Sequence, residues 1–327
     1  MSTSHLQLYT ETRPRLLSLA YRMTGSLSDS EDILHDAWLR FAQVPAENIG
    51  SAAALLTTIV TRLCLDLMRS ARRKRELYAG PWLPEPLPDL YLAHEDVTQR
   101  ETVSYAFLLL LEKLNPVERA VFVLREIFDY DYAEIATIVR KSSEHCRQIF
   151  HRAKRALRKE YTARPAPGAR EQQLLAAFLA ACTGNDLQRL VAMLRDDAVM
   201  LNDGGGKVTA SPIPVRGANR IAKFIFAVRD RDGKKSYYAM RLNNTFGVLS
   251  YSEETPYALQ LFEFGANDLH GSYVIRNPDK LTAFSDRQAL LRAGIIKPLA
   301  RFMGLKATLV MLWRQLWRRL PWIMIKS

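Results

Sequence analysis

Hydrophobic residues recur at helical spacing in the segment 131–159, which predicts two short helices joined by a tight turn. The apolar stripe of the first helix consists of Tyr132, Ile135, Ala136 and Val139, and that of the second consists of Cys146, Ile149, Phe150, Ala153 and Leu157. Between them, Ser142 or Ser143 can cap the second helix by accepting an unpaired backbone N–H. The pattern therefore predicts a helix-turn-helix.

The opposite face of the second helix is polar and mostly basic. It carries Ser143, Glu144, Arg147, Gln148, His151, Arg152 and Arg155. Arginine can bond guanine O6 and N7, and glutamine can bond adenine, so this face suits base recognition in the major groove. A solvated basic helix on a helical bundle is the alternative, but the remainder of the chain favours DNA.

Residues 1–76 predict three more helices, at 8–23, 29–41 and 52–76, and the second and third each have an apolar stripe. Along the outer face of the second helix lie Asp29, Asp32 and Asp36. Such a stripe is usually only solvated surface, but its contrast with the basic remainder of the chain suggests that this face binds a protein rather than DNA.

The third of these helices is rich in arginine. It carries Arg62, Arg69, Arg72 and Arg73, with Lys74 and Arg75 at its end. Such a helix can contact phosphates, because each neutralised phosphate releases counterions. Basic residues also suit the C-terminal end of any helix dipole, but the density of arginine favours DNA.

The net charge and the cysteine content of the chain limit the classes of protein to which it can belong. The 327-residue chain has a formal net charge of +12, which predicts an anionic partner, either nucleic acid or a membrane surface. Its three cysteines are widely spaced, which favours buried thiols over a disulfide framework or a metal site. The sequence shows neither a signal-peptide pattern nor an apolar run of membrane-spanning length, so we expect a cytoplasmic protein.

Three stretches resemble an extracytoplasmic-function (ECF) sigma factor of bacterial RNA polymerase. They are DSEDILHDAWLRF, AAALLTTIVTRLCLDLMRSARRKRE and LNPVERAVFVLREIFDYDYAEIATIVRKSSEHCRQIFHRAKRAL. They cover roughly residues 8–76 and 99–159, in the order of sigma regions 2 and 4. The resemblance implies two partners, core RNA polymerase and promoter DNA.

The resemblance also implies roles for the individual segments. The helix that carries Asp29, Asp32, Asp36 and Leu39 would dock on core RNA polymerase. The loop 44–51, with Asn48, and the arginine-rich helix would open and read the minus-10 element, where an extruded base needs stacking or hydrogen bonds in compensation. The helix-turn-helix would read the minus-35 element.

Two linkers are predicted, at 77–98 and 161–170. The first contains Pro81, Pro84, Pro86 and Pro88, which favour an extended chain. Because an exposed tryptophan and leucine are costly on a linker, we expect Trp82-Leu83-Pro84-Glu85-Pro86 to dock on another segment. A linker that packs on itself is the alternative.

Residues 171–285 pass from helices to alternating strands. The pattern predicts helices at 171–182, 186–194 and 217–229, and strands at 198–201, 237–242, 246–251, 257–264 and 269–276. This order predicts an α+β fold with helices on one face of a curved sheet. It resembles the SnoaL-like cone domains, so the whole chain is expected to combine two all-α sigma domains with one α+β cone.

Three motifs resemble the ECF sigma factors of the SigJ type, which carry such a domain. They are the linker motif 82–86, the glycine motif Asp203-Gly204-Gly205-Gly206-Lys207, and the motif Asn277-Pro278-Asp279-Lys280-Leu281. The resemblance implies regulation in cis by the third domain. Consecutive glycines suit the close approach of another segment, so we expect the glycine motif to receive the linker, fixed by Lys207 and by Asp279 or Lys280.

The third domain could also have either of two other roles. His270 near Asp268 or Asp203 could serve as a general base in an enzyme. A ligand-sensing pocket for a small molecule is the other alternative, lined by Tyr237, Phe246, Tyr257 or Phe262. Core packing explains those aromatic residues equally well.

Residues 286–327 form a basic amphipathic tail rich in tryptophan. We expect it to pack on protein, with contact to an anionic membrane as the alternative. The overall prediction is a transcription initiation factor without catalytic residues, metal or cofactor. The competing hypotheses are a SnoaL-like enzyme or ligand sensor fused to a helix-turn-helix repressor, which would need symmetric half-sites.

Overall fold

The computed structural model describes residues 5–75, 78–88, 104–158, 168–231 and 235–299, with only the backbone described at 71–75, 158, 230 and 231. These residues form two compact units. The first unit comprises Met1–Ala166 with two short segments, Asn202–Ile213 and Leu242–Thr245. The second comprises Pro167–Leu201, Pro214–Arg241 and Phe246–Ser327.

The first unit is built from helices. They are α1 (His5–Thr24), α2 (Leu27–Phe41), α3 (Ala52–Arg75), α4 (Tyr105–Leu111), α5 (Pro116–Glu126), α6 (Tyr132–Val139) and α7 (Ser143–Arg158), with a 3-10 turn at Ala46–Asn48. Polar caps fix several starts: Ser26 accepts the Asp29 N–H at 3.1 Å, and Asn115 and Asp131 each form a capping box. The helices predicted at 8–23, 29–41 and 52–76 are confirmed to within a few residues.

One hydrophobic core runs through all seven of these helices. Leu34 and Leu56 from the N-terminal helices belong to the same buried cluster as Leu124 and Phe150. The buried Arg119 of α5 strengthens the junction, because it donates to the Met23 carbonyl at 2.8 Å and to Glu112 at 2.6 Å. The two helical segments that the sequence suggests as separate domains therefore share one core in this structure.

The second unit is α+β, as predicted. Its helices are α8 (Ala169–Thr183), α9 (Leu187–Met193), α10 (Ala218–Arg231) and α11 (Arg287–Arg292). Its strands are β1 (Leu194–Asp203), β2 (Val215–Arg216), β3 (Ser236–Leu242), β4 (Thr245–Ser252), β5 (Thr255–Phe264), β6 (Leu269–Ile275) and β7 (Ile296–Pro298). They form a sheet in the order β2-β1-β6-β5-β4-β3-β7, and its apolar face packs against α8–α10.

The structure corrects two sequence boundaries in this unit. The strand predicted at 198–201 runs from Leu194 to Asp203. The boundary placed at residue 286 falls inside the fold, because Ile296 pairs with Met240 and β7 extends the sheet. A three-residue strand next to a helix of six residues gives too short a pattern to detect in sequence. Residues 300–327 of the predicted tail lie outside the described residues.

Candidate functional site

The helix-turn-helix forms as predicted. Asp131 caps α6 by accepting the Glu134 N–H at 2.8 Å, and Arg140 ends that helix with a left-handed φ of 57°. Ser142 then accepts the His145 N–H at 3.2 Å, so of the two serines it is the one that caps α7. The stripe of α7 headed by Cys146 is buried, which fixes the direction of the opposite face.

All seven residues predicted to read the minus-35 element are exposed. They are Ser143, Glu144, Arg147, Gln148, His151, Arg152 and Arg155. The Arg147 guanidinium lies 5.4 Å from the ring centre of Tyr132, and Gln148 donates to Glu144 at 3.4 Å. These contacts restrain long side chains on an open surface, which lowers the entropy cost of forming a contact there.

The acidic stripe on α2 is also largely exposed at the protein surface. Asp32 and Asp36 are exposed, Asp29 is half-buried, and Leu39 keeps 48% of its surface exposed beside them. An exposed leucine within a row of carboxylates is a suitable contact for a basic protein surface that carries an apolar pocket.

Of the residues predicted to contact the minus-10 element, Asn48 and Arg69 are exposed, whereas Arg62 bonds another helix. Asn48 is exposed in the 3-10 turn, and Arg69 is exposed with its guanidinium 3.5 Å from Asp66. Arg62 donates to the carbonyl oxygens of Thr137 and Ile138, at 3.0 and 3.2 Å, in the last turn of α6. The side chains of Arg72 and Arg73 lie outside the described residues.

The linker motif and the glycine motif meet within the first unit, as expected. The buried Asp203 carboxylate accepts the Leu83 N–H at 2.9 Å and the Tyr78 hydroxyl. It also accepts the Gly205 N–H at 3.0 Å, which fixes the start of the glycine turn. A side chain at Gly204 would come within 2.5 Å of the Val208 carbonyl oxygen, so this turn requires glycine.

Asp203 bonds the linker through the Leu83 N–H, and Lys207 is exposed at the end of the glycine motif. Asn277-Pro278-Asp279-Lys280-Leu281 lies in the second unit, where it forms a 3-10 helix with Asn277 accepting the Asp279 N–H at 3.2 Å. Pro278 and Asp279 are exposed, whereas Lys280 and Leu281 are buried.

The rest of the linker motif packs on the N-terminal helices. The ring of Trp82 lies so close to Gly25 that an added methyl group there would meet it at 3.0 Å. Leu83, Pro84 and Pro86 are buried, and the Tyr105 hydroxyl donates to the Pro84 carbonyl at 2.8 Å. The motif therefore docks on another segment, as predicted, rather than packing only on itself.

The buried Glu85 has a role that the sequence does not show. Its Oε2 accepts the N–H groups of Leu27 and Ser28, at 2.8 and 3.3 Å, and the Ser26 hydroxyl at 3.0 Å. These donors are the free N–H groups at the start of α2, where a carboxylate also complements the helix dipole. Because the cap lies 58 positions from Leu27, local sequence patterns cannot reveal it.

Asn243 is a second residue that sequence analysis missed. It is fully buried at the turn between β3 and β4, and its side chain bonds Leu87 and Tyr21. Burial raises the pKa of Tyr21, so this tyrosine stays protonated as a hydrogen-bond donor and acceptor. The sequence signal was an Asn-Asn pair between two alternating runs, which predicts a turn but not its burial.

The candidate catalytic residues His270 and Asp268 lie near the surface of the third domain, and two of the candidate pocket residues lie in its core. His270 lies 3.2 Å from Asp268 near the turn between β5 and β6, and both side chains are partly exposed. Phe246 and Phe262 are buried in the core, where Phe262 packs against Phe178 at 5.1 Å. Core packing explains these two rings.

Of the other two aromatic residues, Tyr237 is exposed and Tyr257 lies beside two cationic side chains. Tyr237 is 42% exposed. The ring of Tyr257 lies 3.8 Å from the Lys235 ammonium and 4.3 Å from the Arg276 guanidinium.

The three cysteines are free thiols. Burial raises the pKa of all three, and that of Cys182 reaches about 12. Within the described ranges, no cluster of three His, Cys, Asp or Glu residues is arranged to hold a metal ion. Among the helices that the structure describes, none is long and apolar enough to cross a membrane.

Comparison with known proteins identifies the helical part. Residues 8–74 match the Sigma-70 region 2 family, and residues 104–157 match the Sigma-70, region 4 family. The chain is 36% identical over 245 residues to the ECF RNA polymerase sigma factor SigJ of Mycobacterium tuberculosis, covering 72% of this chain and 77% of SigJ. It is 34% identical to the probable ECF RNA polymerase sigma factor SigI of the same species, covering 65% of this chain and 73% of that protein.

The crystal structure of SigJ matches the fold with a TM-score of 0.67 and 27% sequence identity. The match covers 85% of this chain and 98% of that chain. It extends beyond regions 2 and 4 and therefore takes in the α+β unit, which is the SnoaL-like cone implied by the sequence. Together, the two helical regions in order and the relative of similar length show that this chain belongs to the ECF RNA polymerase sigma factors.

Proposed function

We propose that this chain binds core RNA polymerase in the cytoplasm and directs it to promoters, and that its SnoaL-like domain regulates this activity in cis. The observation that carries the proposal is the exposed Arg147-Gln148 face of α7, on a helix-turn-helix that shares one core with the acidic helix α2. One surface suits base edges and the other suits a basic protein. The proposal involves no bond-making chemistry by this chain.

The minus-35 contact is assigned to the exposed residues of α7 and the polymerase contact to Asp29, Asp32, Asp36 and Leu39 of α2. Asn48, Arg62 and Arg69 are assigned to the minus-10 element, together with Arg72 and Arg73. Arg62 supports a further point about regulation. Its guanidinium bonds the carbonyl oxygens of α6, so this arrangement would compete with the DNA contact that we propose for Arg62.

A second contact joins the same two helical regions. The Tyr130 hydroxyl donates to the Thr57 hydroxyl at 2.8 Å, so α3 is held at two points by residues that belong to region 4. We assign this closed arrangement to the resting state. Opening it would free Arg62, and the Asp203 bond to Leu83 restrains the linker that joins the two regions.

The polymerase contact can be tested by charge reversal on α2. Asp32→Lys combined with Asp36→Lys should weaken binding to purified core RNA polymerase by roughly tenfold or more, since like charges then face a basic surface. Glu47→Lys combined with Asp196→Lys is the charge-matched control, because both residues are exposed carboxylates outside α2. Equal affinities for the α2 variant and the control would refute the assignment of this face.

A further inference from the structure

The turn between β3 and β4 holds a buried asparagine that bonds three other segments of the first unit. Asn243 has no exposed surface and a left-handed φ of 47°, which asparagine tolerates better than most residues. A buried amide must find partners for its donor and acceptor groups. The partners of Asn243 are far apart in the sequence.

The Asn243 side chain reaches the linker and region 2. Its Oδ1 accepts the Leu87 N–H at 2.7 Å, and its Nδ2 donates to the Tyr21 hydroxyl at 2.9 Å. The Tyr21 hydroxyl in turn donates to the Glu85 carbonyl at 2.7 Å. One amide and one phenol therefore tie the linker to α1.

The Asn243 backbone completes the arrangement. Its N–H donates to the Leu87 carbonyl at 3.0 Å, and its carbonyl accepts the Tyr105 N–H at 3.1 Å at the start of α4. The neighbouring Leu242 forms a bridge with Pro88. A single turn thus bonds region 2, the linker and the first helix of region 4.

We infer that Asn243 is a positioning residue, a second anchor that holds regions 2 and 4 in the closed arrangement independently of Asp203. Its amide is in contact with Tyr21 and Leu87, whereas Asp203 bonds Leu83 and Tyr78. The inference that Asn243 is an anchor is drawn from these hydrogen bonds. Its expected effect on transcription rests on the proposed function, because the closed arrangement can affect transcription only if the chain directs RNA polymerase.

The test compares Asn243→Gly with Asn244→Gly in the full-length protein. Glycine keeps the left-handed turn and the backbone bonds but removes the Asn243 amide, and Asn244 occupies the same turn with a φ of 53°. Hydrogen exchange followed by mass spectrometry reports on the amides of Leu87 and Tyr105. Asn243→Gly should accelerate exchange at Leu87 about tenfold, with a smaller increase at Tyr105, whereas Asn244→Gly should leave both within about twofold.

A coupling measurement separates positioning from a general loss of stability. Tyr21→Phe removes the hydroxyl that accepts the hydrogen bond from the Asn243 side chain. The combined variant should therefore change Leu87 exchange by less than the product of the two single effects. Independent effects, or faster exchange confined to the β3–β4 turn, would overturn the inference.

Run-off transcription with core RNA polymerase provides the functional measurement. Asn243→Gly should increase transcription at least about threefold relative to Asn244→Gly, because the closed state becomes less populated. If the wild-type protein directs transcription and Leu87 exchange is unaffected, the anchor alone is wrong. If exchange changes as expected but the wild-type protein directs no transcription, the proposed function is wrong.

Discussion

The carboxylate of Glu85 lies 2.8 Å from the backbone nitrogen of Leu27 and caps the start of α2 from the interdomain linker. The helix assigned to polymerase binding therefore depends on a linker residue for its first turn. Because Glu85 is only 4% exposed, water cannot replace it as a partner while the linker remains in place. The linker is thus part of the structure of region 2 as well as its connection to region 4.

Removing this cap should destabilise the first unit. Glu85→Ala leaves the Leu27 N–H and the neighbouring donors without their acceptor, so the free energy of unfolding should fall by about 2 kcal/mol. Urea unfolding of the full-length protein measures the change. Glu47→Ala, an exposed carboxylate on the 3-10 turn, should stay within about 0.5 kcal/mol of the wild type. A similar small effect of Glu85→Ala would show that the cap contributes nothing.

Arg147 should carry sequence information at the minus-35 element. If Arg147 bonds a guanine, Arg147→Ala should weaken binding to the preferred duplex by about 1–3 kcal/mol and relax the preference at one base pair. Selection from DNA randomised at this element, followed by fluorescence anisotropy, measures both effects.

Arg189→Ala is the charge-matched control, because Arg189 is exposed on α9 in the second unit. Its loss should leave base preference unchanged. Retained base preference in Arg147→Ala would contradict the assignment.

Loss of the Asp203 contact should change regulation without loss of minus-35 binding. Asp203→Ala removes the acceptor of the Leu83 N–H, so the linker should become more accessible to limited proteolysis and run-off transcription should rise severalfold. Affinity for the minus-35 duplex should stay within about twofold, since α7 is untouched. Asp196→Ala, an exposed position on β1, serves as the control. If both variants behave like the wild type at every protein concentration, the linker contact has no regulatory role.

Stability should decline at alkaline pH. Burial raises the pKa of Tyr251 and of Cys182 to about 12, and it also raises the pKa of Tyr21 and Cys64. The unfolded chain loses these protons near pH 9 for cysteine and pH 10 for tyrosine, before the folded chain does. The free energy of unfolding should therefore be highest below pH 9 and fall as the pH rises towards 12.

Urea unfolding at about pH 8, 9.5 and 11 tests this sign. Tyr251→Phe should reduce the decline above pH 10, because phenylalanine has no proton to lose. A free energy of unfolding that rises over this interval would contradict the assigned shifts.

Local sequence patterns were sufficient for the helices and for the exposed face of α7. The spacing from Cys146 to Leu157 defines the buried stripe. The side chains predicted to face outward are exposed, and they include Arg147, Gln148 and His151. Consecutive glycines suit the close approach of another segment, and a methyl group added at Gly206 would lie 3.3 Å from the Ala79 side chain of the linker.

Contacts between distant segments could not be predicted in the same way. Glu85 and Asn243 look like an ordinary linker carboxylate and an ordinary turn amide, yet each is buried and bonds residues 57 or more positions away. Arg62 was assigned to DNA from its helix face, but its carbonyl partners on α6 lie 75 and 76 positions further along the chain. Only the fold brings these groups together.

Run-off transcription with purified core RNA polymerase is the most direct test of the central claim. The template should be a library of DNA fragments randomised at the minus-35 and minus-10 elements. The full-length chain should associate with core polymerase and select a defined pair of elements with a fixed start site, and Arg147→Ala should lose the minus-35 preference. Transcription no greater than that of core polymerase alone, together with no association between the two proteins, would contradict the account.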